Sequence, residues 1–310
     1  MLQQCLILLS FYLKCNNKKG NKMKKILTYL KMMRIQHYIK NILIFLPILF
    51  SKNIFNVELL TKNFVGVVAF SLMTSVVYII NDIMDVDNDR KHEKKKNRPI
   101  ALGSISISNA SYFAIALLII SIALNMSINV SLNAYLVFSL YIIINILYSI
   151  KLKHVPIVDV TILASGFLIR VLYGSAITGI EISNWLYLTI LSFSFYMGLG
   201  KRRNELKKIG NETRKVLEYY SKSFLDNNMY MCMALGIVFY SLWSIDINSA
   251  VNGLINVIWT IPFVIIICMK YSLNVEGDSL GDPVDVILSD KILFVLLLIY
   301  GLTMLGIIYF

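Results

Sequence analysis

Charge is scarce in this chain. Of 310 residues only 15 % are Asp, Glu, Lys or Arg, 57 % are hydrophobic, and the mean hydropathy is +0.68. A soluble globule carries nearer a quarter charged residues, so that class is excluded and a polytopic membrane protein remains. Cysteine is scarce too: Cys5, Cys15, Cys232 and Cys268 show no CxxC spacing, and the last two lie in apolar segments. They imply neither a disulfide framework nor a zinc site. No Pro- or Ser-rich linker and no repeat of 20–50 residues divides the chain. Acids are outnumbered, 18 against 30 Lys and Arg, for a net charge of +12. In a soluble protein that excess would point to nucleic acid; here its distribution along the chain points to a membrane instead.

Nine apolar stretches are long enough to be considered as spans: 37–54, 64–84, 109–126, 130–149, 157–178, 185–200, 229–246, 253–271 and 290–309. Several lie near the lower limit of about 17 residues for crossing the hydrocarbon, and 185–200 is the weakest. Basic residues cluster before the first, after the second, after the fourth and after the sixth, whereas the intervening loops carry only Lys52 and Lys62. That alternation predicts a cytoplasmic N-terminus and a charged cytoplasmic face. The run 6–13 is too short to span and lacks the flanks of a signal peptide. Met23 therefore reads as the start, 1–22 as an extension without function, and 23–310 as one transmembrane domain.

The stretch 81–99, NDIMDVDNDRKHEKKKNRP, follows the second apolar run. At about 100° per residue, Asp82, Asp85 and Asp89 fall within an arc of roughly 60°, with Asn81 at its edge. Carboxylates so close repel unless a cation compensates. Mg²⁺ is the natural one, since it is held by a few carboxylates plus substrate phosphates. Arg90, Lys91, Lys94, Lys95, Lys96 and Arg98 follow and can take phosphate charge. A solvated cytoplasmic loop is the plain alternative. The NDxxDxxxD spacing at a helix end, with NRPIALG after it, resembles the first aspartate-rich motif of the UbiA superfamily of intramembrane prenyltransferases. The resemblance runs from about residue 34 to the C-terminus, and implies an all-α bundle of about nine transmembrane helices around a cytoplasm-facing cavity.

Other positions carry charge where the apolar pattern should exclude it. Lys40, in RIQHYIKNILIFLP, sits at an apolar helix end, either snorkelling to headgroups or, by the resemblance, holding an anionic substrate; His37 beside it reads as an interfacial hydrogen-bonding residue. In YSIKLKHVPIVDV, Tyr148, Lys151 and Lys153 end one helix and Asp159 begins the next. Asp159 is either a helix N-terminal charge or a metal ligand, direct or through another ligand. Arg170 lies eleven residues on, about 16 Å along the axis, too far to pair with it. It faces either a polar cavity or bound anion, or the lipid headgroups. The aromatic stretch Phe193, Phe195, Tyr196 and Met197 lines a lipid route or simply packs.

The superfamily's ordinary members carry a second aspartate-rich motif after span six. This chain has LGKRRNELKKIG there, with Glu205 the single acid among Lys201, Arg202, Arg203, Lys207 and Lys208. A carboxylate site has become mainly a phosphate site. Together with RIQHYIKNILIFLPILF, YSIKLK, LASGFLIRVLYG and the acidic EGDSLGDPVDVILSDK, it is similar to the decaprenyl-phosphate phosphoribosyltransferase branch. That branch implies Mg²⁺-dependent transfer of the 5-phosphoribosyl group from 5-phosphoribosyl-1-diphosphate to a polyprenyl phosphate. By that resemblance Asp82, Asp85 and Asp89 hold the metal and Asn81, Lys40, Arg98, Tyr148, Lys153, Asp159, Arg170, Lys201, Arg202 and Glu205 meet substrate. Prenyl transfer to an aromatic acceptor and a lipid transporter are the alternatives. The acids of 276–290 read as a solvated loop, with Asp290 at a helix start, or else as contacts to the basic loops.

Overall fold

The computed structural model describes residues 19–92, 95–209, 215–251, 256–277 and 282–310, and all regular structure among them is helical. Most of the extension 1–22, Lys94 of the basic run and Asp278 of the acidic one lie outside the described residues, as does the Lys208 side chain. In chain order the helices are α1 (Lys19–Met33), a 3₁₀ stretch (Ile35–Phe45) leading into α2 (Leu46–Phe50), α3 (Val57–Met84), α4 (Val86–Lys91), α5 (Ile107–Ser127) and α6 (Leu132–Ile150). Then come α7 (Val158–Thr178), α8 (Asn184–Ile209), α9 (Lys222–Val251), α10 (Ile261–Glu276), α11 (Pro283–Ser289) and α12 (Lys291–Tyr309).

Over the described residues the nine apolar stretches fall largely on helical segments, with 253–255 outside those residues. Seven are long and apolar enough to cross a membrane: α3, α5, α6, α7, Lys222–Ile247 of α9, Val257–Glu276 and α12. At 1.5 Å per residue the 28 residues of α3 extend about 42 Å, past the ~30 Å hydrocarbon core. The first stretch is shorter, since Ile35–Phe50 winds as 3₁₀ helix until Pro47 enters the first turn of α2. The sixth is part of a longer helix: α8 continues through Lys201–Lys207 to Ile209, and its Ser, Thr and Tyr side chains dilute its apolar character.

The chain forms two compact units. The first combines Met1–Tyr38 with Ser71–Ala123 and is built on Met32, Met33, Val76, Ile79, Ile100, Ile105, Ala110 and Leu117. Within it Tyr38 Oη and Ser75 Oγ lie 2.6 Å apart, and Ser75 donates to the Met33 carbonyl, satisfying a backbone acceptor at the end of α1.

The second unit combines Ile39–Phe70 with Leu124–Phe310. Here α7 packs against α2, α6 and α8, α8 against α9, and α10 against α8, α9, α11 and α12. One core cluster joins Val160, Tyr196, Leu199, Leu217, Tyr220, Met229, Tyr271 and Val275; a second centres on Tyr240, Trp243, Cys268 and Met304. The aromatic stretch takes the packing alternative: Tyr196 is 3 % exposed and Phe193, Phe195 and Met197 lie against the first cluster. Gly174 is where α7 meets the chain just before α2; a Cβ there would stand 2.1 Å from the Ile44 carbonyl oxygen.

Candidate active site

Two groups of charged side chains stand out, one in each unit. In the first unit, α3 ends at Met84 and Asp85 leaves helical geometry before α4 begins. The backbone bonds Asp85 N–H to Asn81 O and Asp89 N–H to Asp85 O keep the turn nearly continuous at 3.0 and 2.8 Å. Asp82 and Asp89, each 2 % exposed, therefore remain on one side of the chain. Arg98 Nη1 donates to both, at 3.0 Å to Asp82 and 2.5 Å to Asp89, and Arg34 Nη2 also donates to Asp82. Arg34 has a left-handed backbone, φ 54°, unusual for a side chain with a Cβ, and lies 4.8 Å from the Tyr78 ring centroid.

The spacing predicts three carboxylates gathered on one face around a metal. The structure brings together two, with half-buried Asp85 at the break between helices. Among the described residues no three acid, histidine or cysteine side chains lie close enough to hold a metal ion. The helix break accounts for this, because it interrupts the even 100° step that the expectation assumes. Two buried carboxylates converging on a single cationic nitrogen still match how Mg²⁺ is bound, by one or two acids with substrate phosphates and water completing its shell. The donor set fits that ion.

The second unit's group is centred on α8. Arg202 is fully buried and all three of its nitrogens are engaged. Nε donates to Asp159 at 2.5 Å, Nη1 to Glu205 at 2.5 Å and Nη2 to the Tyr148 hydroxyl at 3.0 Å. Burial disfavours the charged guanidinium, but Glu205, Tyr148 and Asp159 outweigh it and the pKa is raised overall. Asp159, 0 % exposed in the first turn of α7, also accepts from the Tyr220 hydroxyl at 2.6 Å. Tyr220 in turn accepts from the Ile157 amide at 2.5 Å, holding a β-branched residue at φ 67°. Such a backbone persists where its surroundings over-determine it. Burial first, and then the bond to Asp159, pushes the Tyr220 hydroxyl's pKa up.

Next to Arg202, Lys201 Nζ donates to Asp282 at 3.5 Å, and Lys40 Nζ donates to the same oxygen at 3.0 Å. Burial lowers the pKa of Lys201, against the pull of Asp282 and Glu205. Lys153 lies half-buried in the one-turn helix Leu152–His154 between α6 and α7. Arg170 takes the interior alternative: 4 % exposed, it donates to Asn41 Oδ1 at 2.7 Å, to the Tyr141 hydroxyl at 3.2 Å and to the Gly166 carbonyl, with the Phe70 and Tyr141 rings 5.4 and 5.2 Å away. It does not meet Asp159, as the axial distance requires. The Asp159 oxygens are engaged by Arg202 and Tyr220.

A family model described as the UbiA prenyltransferase family matches residues 46–279. The chain belongs to the UbiA prenyltransferase family. Among curated relatives, the decaprenyl-phosphate phosphoribosyltransferase of Corynebacterium glutamicum is 33 % identical over 276 residues, covering 87 % of this chain and 83 % of its own. That of Mycobacterium tuberculosis is 34 % identical over 245 residues, covering 78 % and 80 %. A solved UbiA homolog from Archaeoglobus fulgidus bound to GPP and Mg²⁺ superposes with a TM-score of 0.68 over 90 % of this chain and 99 % of its own, at 20 % identity. That likeness concerns the fold: this UbiA family member is a multi-pass membrane protein of the same helical architecture.

In this UbiA family chain, sequence reasoning misses Arg34 and Tyr220, while Asp282 takes the second reading of its segment, contact with basic residues. Arg34 opens the motif that singled out Lys40 but reads there as part of a basic lead-in. Tyr220 sits in a segment with no pattern of its own.

Proposed function

We propose that this protein transfers the 5-phosphoribosyl group of 5-phosphoribosyl-1-diphosphate to a polyprenyl phosphate. The observation that carries this reading is the similarity to two decaprenyl-phosphate phosphoribosyltransferases over about four-fifths of their length. The local chemistry agrees, since Lys201 and Arg202 stand where a second acidic motif would otherwise hold metal.

In this reading a lipid phosphate oxygen attacks the anomeric carbon, the bond from that carbon to the diphosphate oxygen breaks, and diphosphate leaves with the electron pair. The attacking oxygen is already anionic, so no strong general base is needed. The residues' work is positioning and charge compensation. Asp82 and Asp89, with Asp85 beside them, would hold Mg²⁺, which when bound neutralises the diphosphate's charge. Arg98 and Arg34 keep those carboxylates compensated and offer bidentate donors to phosphate oxygens. Lys40 and Lys201 are the phosphate ligands of the second unit, with Lys153 a further cation at the start of α7. Asn81 supports the turn through Asp85, and Arg170 orders the interior through Asn41 and Tyr141. Arg202 positions rather than binds: with Tyr148, Asp159, Glu205 and Tyr220 it fixes the part of α8 that carries Lys201.

The alternation of basic loops along the sequence supports a cytoplasmic N-terminus in this reading. A membrane-impermeant thiol reagent should label Lys151→Cys only from the cytoplasmic side and Asn129→Cys only from the opposite one; the reverse pattern would invert the topology. Function is tested with purified protein, Mg²⁺ and a polyprenyl phosphate, beside a parallel reaction containing a prenyl diphosphate and an aromatic acid. EDTA-sensitive ribosyl transfer is expected in the first, and prenylation confined to the second would replace the proposal with ordinary UbiA chemistry.

A further inference from the structure

Asp282 is the member of the acidic segment with the most defined surroundings. Its Oδ1 accepts from the Val284 amide at 3.1 Å and caps α11, while Oδ2 takes both Lys40, at 3.0 Å, and Lys201, at 3.5 Å. The Lys40, Asp282 and Lys201 side chains are 14, 15 and 25 % exposed, so the cluster is largely removed from water. One carboxylate charge faces two ammonium groups. The Tyr271 hydroxyl, on α10, is buried without a hydrogen-bond partner and within electrostatic reach of Asp282. A buried donor left unmade costs about 1–3 kcal/mol, which a ligand oxygen would recover. Asp285, one turn along α11, has its carboxyl pKa raised by burial first and by Asp282 next.

These features describe two ammonium groups that share one carboxylate oxygen, with a spare hydroxyl donor nearby and the resident carboxylate as counter-ion. We propose that Lys40, Lys201 and Tyr271 form a phosphate-monoester subsite in which Asp282 is the positioning residue and internal competitor. A phosphomonoester brings up to two charges and three acceptor oxygens, where the carboxylate brings one charge and two oxygens. Phosphate therefore displaces the carboxylate from the lysines. In its absence Asp282 spares the two buried ammonium groups the cost of facing each other uncompensated. The inference rests on the phosphoribosyl reading in one respect: that reaction offers two phosphomonoesters, the sugar's 5-phosphate and the lipid's phosphate.

The test is calorimetric binding of ribose 5-phosphate and of a short-chain polyprenyl phosphate to the full chain in detergent, for the wild type, Asp282→Asn and Tyr271→Phe. Asparagine caps helices as well as aspartate does, so Asp282→Asn keeps the α11 cap and removes only the competing charge. It should bind one of the two ligands about tenfold tighter, with a lower KM and a lower kcat, and leave the other unchanged. The ligand that responds identifies the phosphate. Tyr271→Phe removes a hydroxyl that makes no bond and so stays folded; it should weaken the same ligand several-fold. Affinity that is unchanged or weaker in Asp282→Asn, or untouched in Tyr271→Phe, would overturn the subsite, as would failure of the wild type to bind either ligand. Absence of ribosyl transfer by a wild type that binds and responds in this way would instead count against the reaction and leave the subsite standing.

Discussion

Arg202 has no exposed surface, and its charge is matched by Asp159 and Glu205. Removing one partner of a buried pair strands the other, so Arg202→Ala should cost about 3–5 kcal/mol. Arg202→Lys should recover only part of that, because one ammonium cannot reproduce the fork that meets Asp159, Glu205 and Tyr148 together. Denaturant melts of the three proteins check this, and a stable Arg202→Ala would make the arginine a substrate ligand instead. Lys201 offers a pH test. Burial lowers its pKa, so its positive charge is lost, as pH rises, before an ordinary lysine would lose it. Phosphate affinity should fall early on the alkaline side, and Lys201→Arg, which stays charged, should shift that fall upward; superimposable profiles would exclude Lys201 as the ligand. In the first unit, Asp82→Asn and Asp89→Asn should each lower turnover by about a hundredfold or more while circular dichroism stays helical. Near-normal turnover in both would remove the metal assignment.

At the scale of elements, α7 is positioned by contacts at both ends. Asp159 and Tyr220 fix its start, and Gly179, at φ 71°, closes its end. Between them Gly174 lies against the Ile44 backbone, which cannot move aside as a flexible side chain would. Gly174→Ala should destabilise by about 1–3 kcal/mol or more, measured as a lowered melting temperature. An unchanged value would mean that the helix can slide. The helices themselves are legible in the sequence because apolar length is a strong signal: over the described residues each expected stretch lies largely on helix, and seven of those helices are long and apolar enough to cross a membrane. Their ends are less so. α3 starts at Val57, seven residues before the apolar run, because Asn56 Oδ1 accepts from the Glu58 and Leu59 amides and caps it. α8 runs beyond its apolar part because its charges find partners such as Asp159, Asp226 and Asp282. Those pairings join residues 43, 23 and 81 positions apart, and no local period encodes them. The carboxylates of 81–89 are legible as a site for the opposite reason, being close in sequence, although the break at Asp85 changes which of them meet.

For the whole molecule, the sparse charge is concentrated where chemistry needs it. Apolar helices embed the chain in the membrane, and its carboxylates and cations gather in two groups, one in each unit. The central claim is that the group moved is ribosyl phosphate and not prenyl. It is tested most directly by donor labelled at two places, on ribose carbon and on the diphosphate, incubated with the protein, Mg²⁺ and a polyprenyl phosphate and then extracted into organic solvent. The carbon label should enter the lipid phase and the diphosphate label should stay in water, both only without EDTA. Both labels remaining in water, with active protein in the parallel prenyl assay, would contradict the account.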